Sequence, residues 1–271
     1  QGIAMMHIKR PVVAGLFYPG TAGELKVTLG ELMQTTDAQS EERPYALIAP
    51  HAGYQFSGPV AANAYASLGS WADEIRRVVV LAPSHRIGFR GIATSSADVF
   101  QTPLGDIPVD RSAVQQLRGL SGVLTLDEAF AQEHALEVQL PFLQTVLPTF
   151  DLVPLVVGEA DIDDVSQVID HLIAPDTLIV VSSDLSHFLD YESCQLRDRS
   201  TTALIENMQE DAIGPHDACG AFPVRGLLKS ARRHGWRVRT LDLRNSGDTA
   251  GDKSRVVGYG AYAFDEAPAA A

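Results

Sequence analysis

The chain has 271 residues, of which 45% are hydrophobic and 20% charged, a balance typical of globular proteins and not of disordered ones. Asp and Glu number 34 against 21 Lys and Arg, so the formal net charge is −13, and a surface of this sign repels nucleic acid. No apolar run reaches the ~20 residues that span a bilayer. Two cysteines fit a reducing compartment. We therefore expect a cytoplasmic protein that binds neither nucleic acid nor membrane.

The predicted helices and strands alternate along the chain. Thr21 and Glu24 form a capping box that opens a helix, Ser57 caps a second with Pro59 in its first turn, and Asp161 opens a third. Longer helical patterns run over about 191–209 and 215–234. Short, apolar, β-branched segments predict strands covered on both faces at 45–49, 78–82, 152–157, 178–182 and 256–264.

This alternation predicts an α/β fold with a central, mostly parallel or mixed sheet that helices cover. The chain contains no internal repeat and no linker rich in Pro, Gly or Ser, so we expect one domain over residues 7–265. Residues 1–6 are interpreted as a leader or expression remnant, and residues 266–271 as a flexible tail.

Three of the eight histidines follow within five residues of the end of a predicted strand. His51 follows YALIA, His85 follows VVVLA and His187 follows LIVVS. Any one of them alone fits a solvated or structurally satisfied histidine. Parallel strands, however, would bring all three rings to one edge of the sheet, where ligands bind in open α/β folds. Asp184, three residues before His187, is placed either to orient that ring or bind a metal, or to cap a turn.

Three further segments carry candidate residues. Glu133 and His134 open the helical pattern EHALEVQLPFL. A carboxylate at the start of a helix interacts favourably with the helix dipole and needs no function there. The alternative is that one of the two residues reaches the site at the sheet edge. Cys219 lies in an apolar helical pattern typical of a buried structural thiol, although access to the pocket would make it a ligand candidate. The polar stretch RNSGDTAGDKS offers Asp248 and Asp252 as oxygen ligands, or forms a solvated hairpin loop.

Together these motifs resemble the Memo family. The matching stretches, in the family's order and from Arg10 to Phe264, are PVVAGLFYPG, APHAGYQFSG, LAPSHRIGFRG, TPLGDIPVD, EHALEVQLPFL, SSDLSHF, ACG and NSGDTAGDKSRVVGYGAY. That family is similar in fold to the class III extradiol ring-cleavage dioxygenases, the LigB-like enzymes. The resemblance implies a LigB-like fold and Fe(II) held by two histidines and a carboxylate, with a further histidine as acid/base catalyst.

The resemblance also implies roles for individual residues. His51 and His85 match the two histidine ligands, and His187 matches the acid/base histidine, with Asp184 as its neighbour in the pocket. Animal members carry a cysteine in the loop that reads NSGDT here, and the ungapped match falls on Thr249. Threonine cannot act as an anionic ligand. The substitutes in order are Asp248, Glu133 and Asp184, and the substrate-binding candidates are Tyr54, Ser57, His134, Cys219 and Thr249.

Three functions fit these residues. The first is a non-haem metalloprotein that performs dioxygenase-like redox chemistry on a small, aromatic substrate, with Fe(II) as the expected metal and copper or zinc as alternatives. The second is a non-enzymatic module that binds a peptide or phosphopeptide in the same pocket. The third is a zinc-dependent hydrolase. Family members often occur beside radical-SAM and AMMECR-type proteins, which are the expected partners besides the small-molecule substrate.

Overall fold

The computed structural model describes residues 5–37 and 41–267. The predicted leader and tail therefore fall largely on residues 1–4 and 268–271, outside the described part. The helices and strands, in chain order, are β1 (Ile8–Lys9), α1 (Ala22–Gln34), β2 (Pro44–Ala49), α2 (Tyr54–Ala66), β3 (Arg77–Pro83), β4 (Ile92–Thr94), β5 (Val99–Thr102), β6 (Gly105–Pro108), α3 (Arg111–Leu117), β7 (Val123–Thr125), α4 (Glu128–Ala131), α5 (Leu140–Val146), β8 (Asp151–Val157), α6 (Ile162–Leu172), β9 (Thr177–Ser182), β10 (His187–Leu189), α7 (Tyr191–Glu206), α8 (Ala221–Arg233), β11 (Trp236–Asn245), α9 (Ser246–Thr249) and β12 (Val256–Glu266).

A mixed sheet forms the centre of the domain. Its strands lie in the order β10-β12-β2-β9-β3-β8-β4-β7, and β11 pairs with β12. The neighbours β2, β9, β3 and β8 all run parallel, whereas β12 is antiparallel to β2 and β4 is antiparallel to β8. A smaller sheet, β1-β5-β6, lies apart from it. The predicted α/β fold with a mixed sheet is confirmed.

The five predicted strands are confirmed as β2, β3, β8, β9 and β12. Every residue of β9 is buried, and so are all residues of β3 except the first. Burial of successive residues means that both faces of these strands are covered. Helix α2 packs against β2 and β12, and α8 packs against β3 and β9. This packing makes the central parallel strands a rigid support for the loops that follow them.

The start of α2 differs from the prediction that Ser57 caps it. The carbonyl group of Gly53 accepts the first helical hydrogen bond, from the Ser57 N–H at 3.1 Å, so Gly53 is the N-cap. The Ser57 hydroxyl donates instead to the carbonyl oxygen of Ala52. Pro59 consequently lies inside the helix rather than in its first turn. The Thr21 cap of α1 is confirmed, since its hydroxyl accepts from the Glu24 N–H.

The helix predicted to start at Glu133 begins later. Residues 133–136 form a loop, a 3-10 turn follows at Glu137–Gln139, and α5 then starts at Leu140. The Glu133 carboxylate accepts hydrogen bonds from the backbone N–H groups of Ala135 and His85. These two bonds tie residues 133–135 to the loop after β3, and this segment is therefore a loop and not the first turn of a helix.

Candidate metal centre

The carboxyl ends of the parallel strands carry a compact group of titratable side chains. His51 follows β2, His85 follows β3 and Asp184 follows β9. The ring centroids of His51 and His85 lie 5.1 Å apart, and His134 lies 4.8 Å from His85 and 5.5 Å from His51. The structure thus brings together histidines that the sequence places up to 83 positions apart, at the edge where open α/β sheets bind ligands.

Cys219 joins this group from the loop before α8. Its Sγ lies 3.3 Å from His51 Nε2, and the Asp184 N–H donates to the same sulfur. The approach depends on Gly220, because a Cβ there would lie 2.7 Å from the Ser183 Cβ. The sequence pattern favoured a structural thiol, but the side chain is only partly buried and faces the histidines.

Within residues 5–37 and 41–267, three sets of side chains place their ligand atoms within 4.8 Å of one another. The sets are His51, His85 and Cys219; His85, Glu133 and His134; and Asp184, His187 and Cys219. We call their seven residues the ligand cluster. His85 and Cys219 each belong to two sets, so the cluster is one continuous arrangement of nitrogen, sulfur and oxygen donors.

Two histidines of the cluster are oriented by acceptors on Nδ1. Glu133 Oε1 lies 2.8 Å from His85 Nδ1, and its other oxygen accepts from the His85 backbone N–H. The Leu185 carbonyl oxygen lies 2.9 Å from His187 Nδ1. A carbonyl or carboxylate oxygen only accepts, so each Nδ1 carries a hydrogen, and in the neutral ring Nε2 is the nitrogen with the lone pair. Metal-binding histidines are typically held in this way.

His51 is the most buried histidine of the cluster, with 2% exposure. Its backbone N–H donates to Asp184 Oδ1 at 2.8 Å, and its Nδ1 lies 2.9 Å from Ser182 Oγ. Nε2 faces the Cys219 sulfur and lies 3.7 Å from Asp184 Oδ2. The inner side of the cluster is therefore closed to water, whereas His187 is exposed on the outer side.

The electrostatics favour neutral histidine on the inner side. Burial, followed by the neighbouring His85, lowers the pKa of His51 well below its usual value. Burial likewise raises the pKa of the Cys219 thiol and that of Asp184. Burial also acts to raise the pKa of Glu133, but hydrogen bonds from His85 outweigh it and hold that pKa below its usual value. A neutral imidazole lone pair is the form that binds a metal ion.

Four of the predicted site residues lie outside the ligand cluster, namely Asp248, Thr249, Tyr54 and Ser57. Asp248 is outside the three donor sets of the described residues; its carboxylate accepts from the Tyr191 hydroxyl and from the Asn245 N–H. These bonds tie it to the capping box of α9. Thr249 donates to the carbonyl oxygen of Ser246 within the same short helix. Thr249 and Asp248 therefore belong to the β11–β12 connection, and Cys219 occupies the position beside His51 and His85.

The hydroxyl groups of Tyr54 and Ser57 are likewise committed to the backbone. Tyr54 donates to the carbonyl oxygen of Val138 at 2.6 Å, and Ser57 donates to Ala52. Tyr54 also lines a cleft of about 860 Å³ together with Phe17. The centroid of the Phe17 ring lies 4.6 Å from that of His134, so Phe17 contacts the ligand cluster as well as this cleft.

Sequence reasoning missed two residues on the buried side of the ligand cluster. Ser182 ends β9, and Gln139 lies in the 3-10 turn before α5; neither side chain has any exposure. The sequence does mark both residues: Ser182 is the polar residue at the end of the apolar strand LIVVS, and Gln139 is a polar residue inside the apolar pattern EHALEVQLPFL. Both are polar residues in positions where a core would otherwise take an apolar one.

Comparison with known proteins shows which family this chain matches. A family described as Memo-like protein matches residues 9–263. The chain belongs to the Memo family. A Memo relative from Aeropyrum pernix, named a MEMO1 family protein, is 37% identical over 282 residues, which cover 94% of this chain and 98% of the relative. A second relative with the same name, from Nitrosopumilus maritimus, is 32% identical and covers 95% of this chain and 99% of its own length.

A solved structure shares the fold of this Memo chain. It is that of an uncharacterized protein from Escherichia coli K12, with a TM-score of 0.54 over 81% of this chain and 99% of the other. The two sequences are 13% identical, so the likeness concerns the fold alone. No helix of the described residues combines the length and apolar character needed to cross a membrane.

Proposed function

We propose that this chain is a metal-dependent enzyme that carries out dioxygenase-like redox chemistry on a small, aromatic substrate. In this proposal His51, His85 and Cys219 hold the metal. The observation that carries it is the set of three donors within 4.8 Å of one another at the carboxyl edge of the sheet. Two of the three are histidines whose other ring nitrogen is occupied by a hydrogen bond.

The donor types decide which metals fit. Two imidazoles and a thiol suit iron, copper or zinc, and they suit the hard cations Mg²⁺ and Ca²⁺ poorly. We propose Fe(II), in line with the resemblance to the LigB-like enzymes, and replace the expected carboxylate ligand Asp248 by Cys219. A redox-active metal at this place would hold substrate and O₂ next to each other and mediate electron transfer between them.

His187 is proposed as the acid/base residue. Its Nδ1 donates to the Leu185 carbonyl oxygen, so the Nε2 lone pair is free to take a proton from a substrate hydroxyl group. The ring is exposed, as an acid/base residue that meets an incoming substrate must be. Phe188 is 59% exposed, and its ring lies 5.7 Å from that of His187. The Arg255 guanidinium lies 4.4 Å from the centroid of the Phe188 ring, and the part of the ring that stays exposed offers an apolar surface for an aromatic substrate beside the proton acceptor.

A zinc-dependent hydrolase is the second candidate, and the thiol in the donor set favours it. Zinc binds cysteine and histidine readily and performs hydrolysis where one coordination position stays open. We further propose a cytoplasmic location and the radical-SAM and AMMECR-type proteins as partners, as the resemblance implies.

The first experiment is metal analysis of protein purified without oxygen, followed by titration of Fe(II), Cu(I) and Zn²⁺. Removal of a supporting hydrogen-bond partner typically lowers metal affinity 10- to 100-fold. Removal of a ligand in His51→Ala, His85→Ala or Cys219→Ser should therefore lower it more than about 100-fold. His187→Ala should keep the metal and lose O₂ uptake with substrate.

His216→Ala is the matched control, since His216 is exposed and outside the ligand cluster. It should bind metal like the wild type. Wild-type affinity in His51→Ala and His85→Ala would contradict the proposed centre. Tight zinc without O₂ uptake would favour the hydrolase, and peptide binding by protein that takes up no metal would favour a binding module.

A further inference from the structure

A buried chain of hydrogen bonds leads from the core to His51. Tyr65 donates to Gln139 Oε1 at 2.6 Å, Gln139 Nε2 donates to Ser182 Oγ at 2.9 Å, and Ser182 Oγ lies 2.9 Å from His51 Nδ1. Tyr65, Gln139 and Ser182 have no exposure, and His51 has 2%. Water therefore does not compete for these bonds, and the positions of their hydrogens follow from the partners alone.

The orientation of the Gln139 amide is set by backbone carbonyl groups. Its Nε2 lies 3.0 Å from the Pro50 oxygen and 3.3 Å from the Ala49 oxygen. A carbonyl oxygen only accepts, so the NH₂ group must face this side and Oε1 must face Tyr65. The second Nε2 hydrogen then points at Ser182 Oγ.

The Ser182 hydroxyl has one hydrogen and three polar neighbours. The Ala135 carbonyl oxygen, at 2.7 Å, only accepts, so it receives that hydrogen. Gln139 Nε2 only donates and occupies one lone pair of Oγ. The remaining lone pair faces His51 Nδ1, which must therefore donate. His51 consequently carries its hydrogen on Nδ1 and keeps the Nε2 lone pair.

We propose that Gln139 and Ser182 are positioning residues that hold His51 in the tautomer able to bind a metal. Nε2 faces Cys219 Sγ at 3.3 Å, and the opposite tautomer would place a hydrogen where the metal has to bind. This inference rests on the proposed metal centre for its purpose, although the tautomer follows from the hydrogen bonds alone. In the metal-free protein the thiol hydrogen of Cys219 donates to Nε2.

The test is a long-range ¹H–¹⁵N NMR measurement of the His51 ring in metal-free wild-type protein, assigned by comparison with His51→Ala. We expect a protonated Nδ1 and an unprotonated Nε2. A protonated Nε2 overturns the inference whether or not the protein binds metal. Failure of the wild type to bind any metal would instead contradict the proposed function and leave the tautomer result standing.

Ser182→Ala removes the acceptor of the Nδ1 hydrogen. We expect the Nε2-protonated tautomer to appear in the NMR spectrum and the Zn²⁺ affinity to fall about 10- to 100-fold. Ser67→Ala is the matched control, because it also deletes a fully buried serine hydroxyl, which donates to the Ala64 carbonyl oxygen, away from the ligand cluster. It should change neither readout. Wild-type tautomer and affinity in Ser182→Ala would overturn the proposal, and if that variant does not fold the wild-type spectrum decides.

Discussion

Replacing Gly220 with alanine should show how closely Cys219 depends on the contact between α8 and the end of β9. The new Cβ would lie 2.7 Å from the Ser183 Cβ and 2.8 Å from the Ser182 carbonyl oxygen, distances that real Cβ atoms essentially never show. Gly220 has φ −93° and ψ 32°, which alanine also adopts, so the effect is steric. The segment that carries Cys219 must move outward.

The magnitude follows from three contributions. Overpacking a buried contact costs about 1–3 kcal/mol, and loss of the hydrogen bond from the Gly220 N–H to Ser183 Oγ costs about 0.5–1.5 kcal/mol. The lower entropy of the unfolded alanine chain offsets about 0.4–1 kcal/mol. We expect the free energy of unfolding to fall by about 0.5–4 kcal/mol. The metal affinity should fall at least about 10-fold because Cys219 Sγ shifts.

The assay is chemical denaturation combined with metal titration. Gly226→Ala is the control: Gly226 lies in α8, of which Gly220 is the N-cap, and the new Cβ would meet Val165 Cγ1 at 2.2 Å in the contact with α6. It should lose comparable stability and keep its metal affinity. If Gly220→Ala loses stability but binds metal as well as Gly226→Ala does, the placement of Cys219 by Gly220 is refuted.

Three further predictions concern stability elsewhere. Gly30→Ala should raise the free energy of unfolding by about 0.5–1 kcal/mol, because Gly30 lies inside α1 with no atom within 4 Å of its new Cβ. Thr21→Ala should lower it by about 1 kcal/mol through loss of the cap on the Glu24 N–H. Burial acts to raise the pKa of Asp127, but hydrogen bonds from Ser96 outweigh it and hold that pKa below 3.8. Asp127→Asn should therefore lower the free energy of unfolding most at neutral pH, and the difference from the wild type should shrink as the pH falls below 3.8. Urea denaturation of both proteins at pH 3 and pH 7 would measure this difference.

The strands were predictable because their signal is local. Continuous apolar runs with β-branched residues identify β2, β3, β8, β9 and β12. The parallel arrangement of β2, β9, β3 and β8 explains why His51 and His85 meet. The start of α2 was not predictable from capping preferences, because the preceding turn already supplies Gly53 as N-cap. Local patterns identify an element more reliably than its first residue.

The place of Cys219 beside His51 was left open by the sequence, because it depends on a contact between distant segments. Asp248 lies in the polar loop that the resemblance singled out, whereas Cys219 lies in an apolar pattern that favours a structural role. Only the close approach of Gly220 to Ser183 brings the thiol to the histidines. Ser182 and Gln139 were missed for the same reason, since each looks like an isolated polar residue until the chain is folded.

In the proposed metal centre, the wide separation of the donors along the chain would couple metal binding to folding. His51 and Cys219 are 168 residues apart, so the ligands meet only after β2, β3, β9 and the start of α8 have assembled. An unfolded chain has scattered ligands and no shared site, so a metal held by these residues would bind the native state selectively. Free metal at 100 times its dissociation constant would then stabilise the whole domain by about 2.7 kcal/mol.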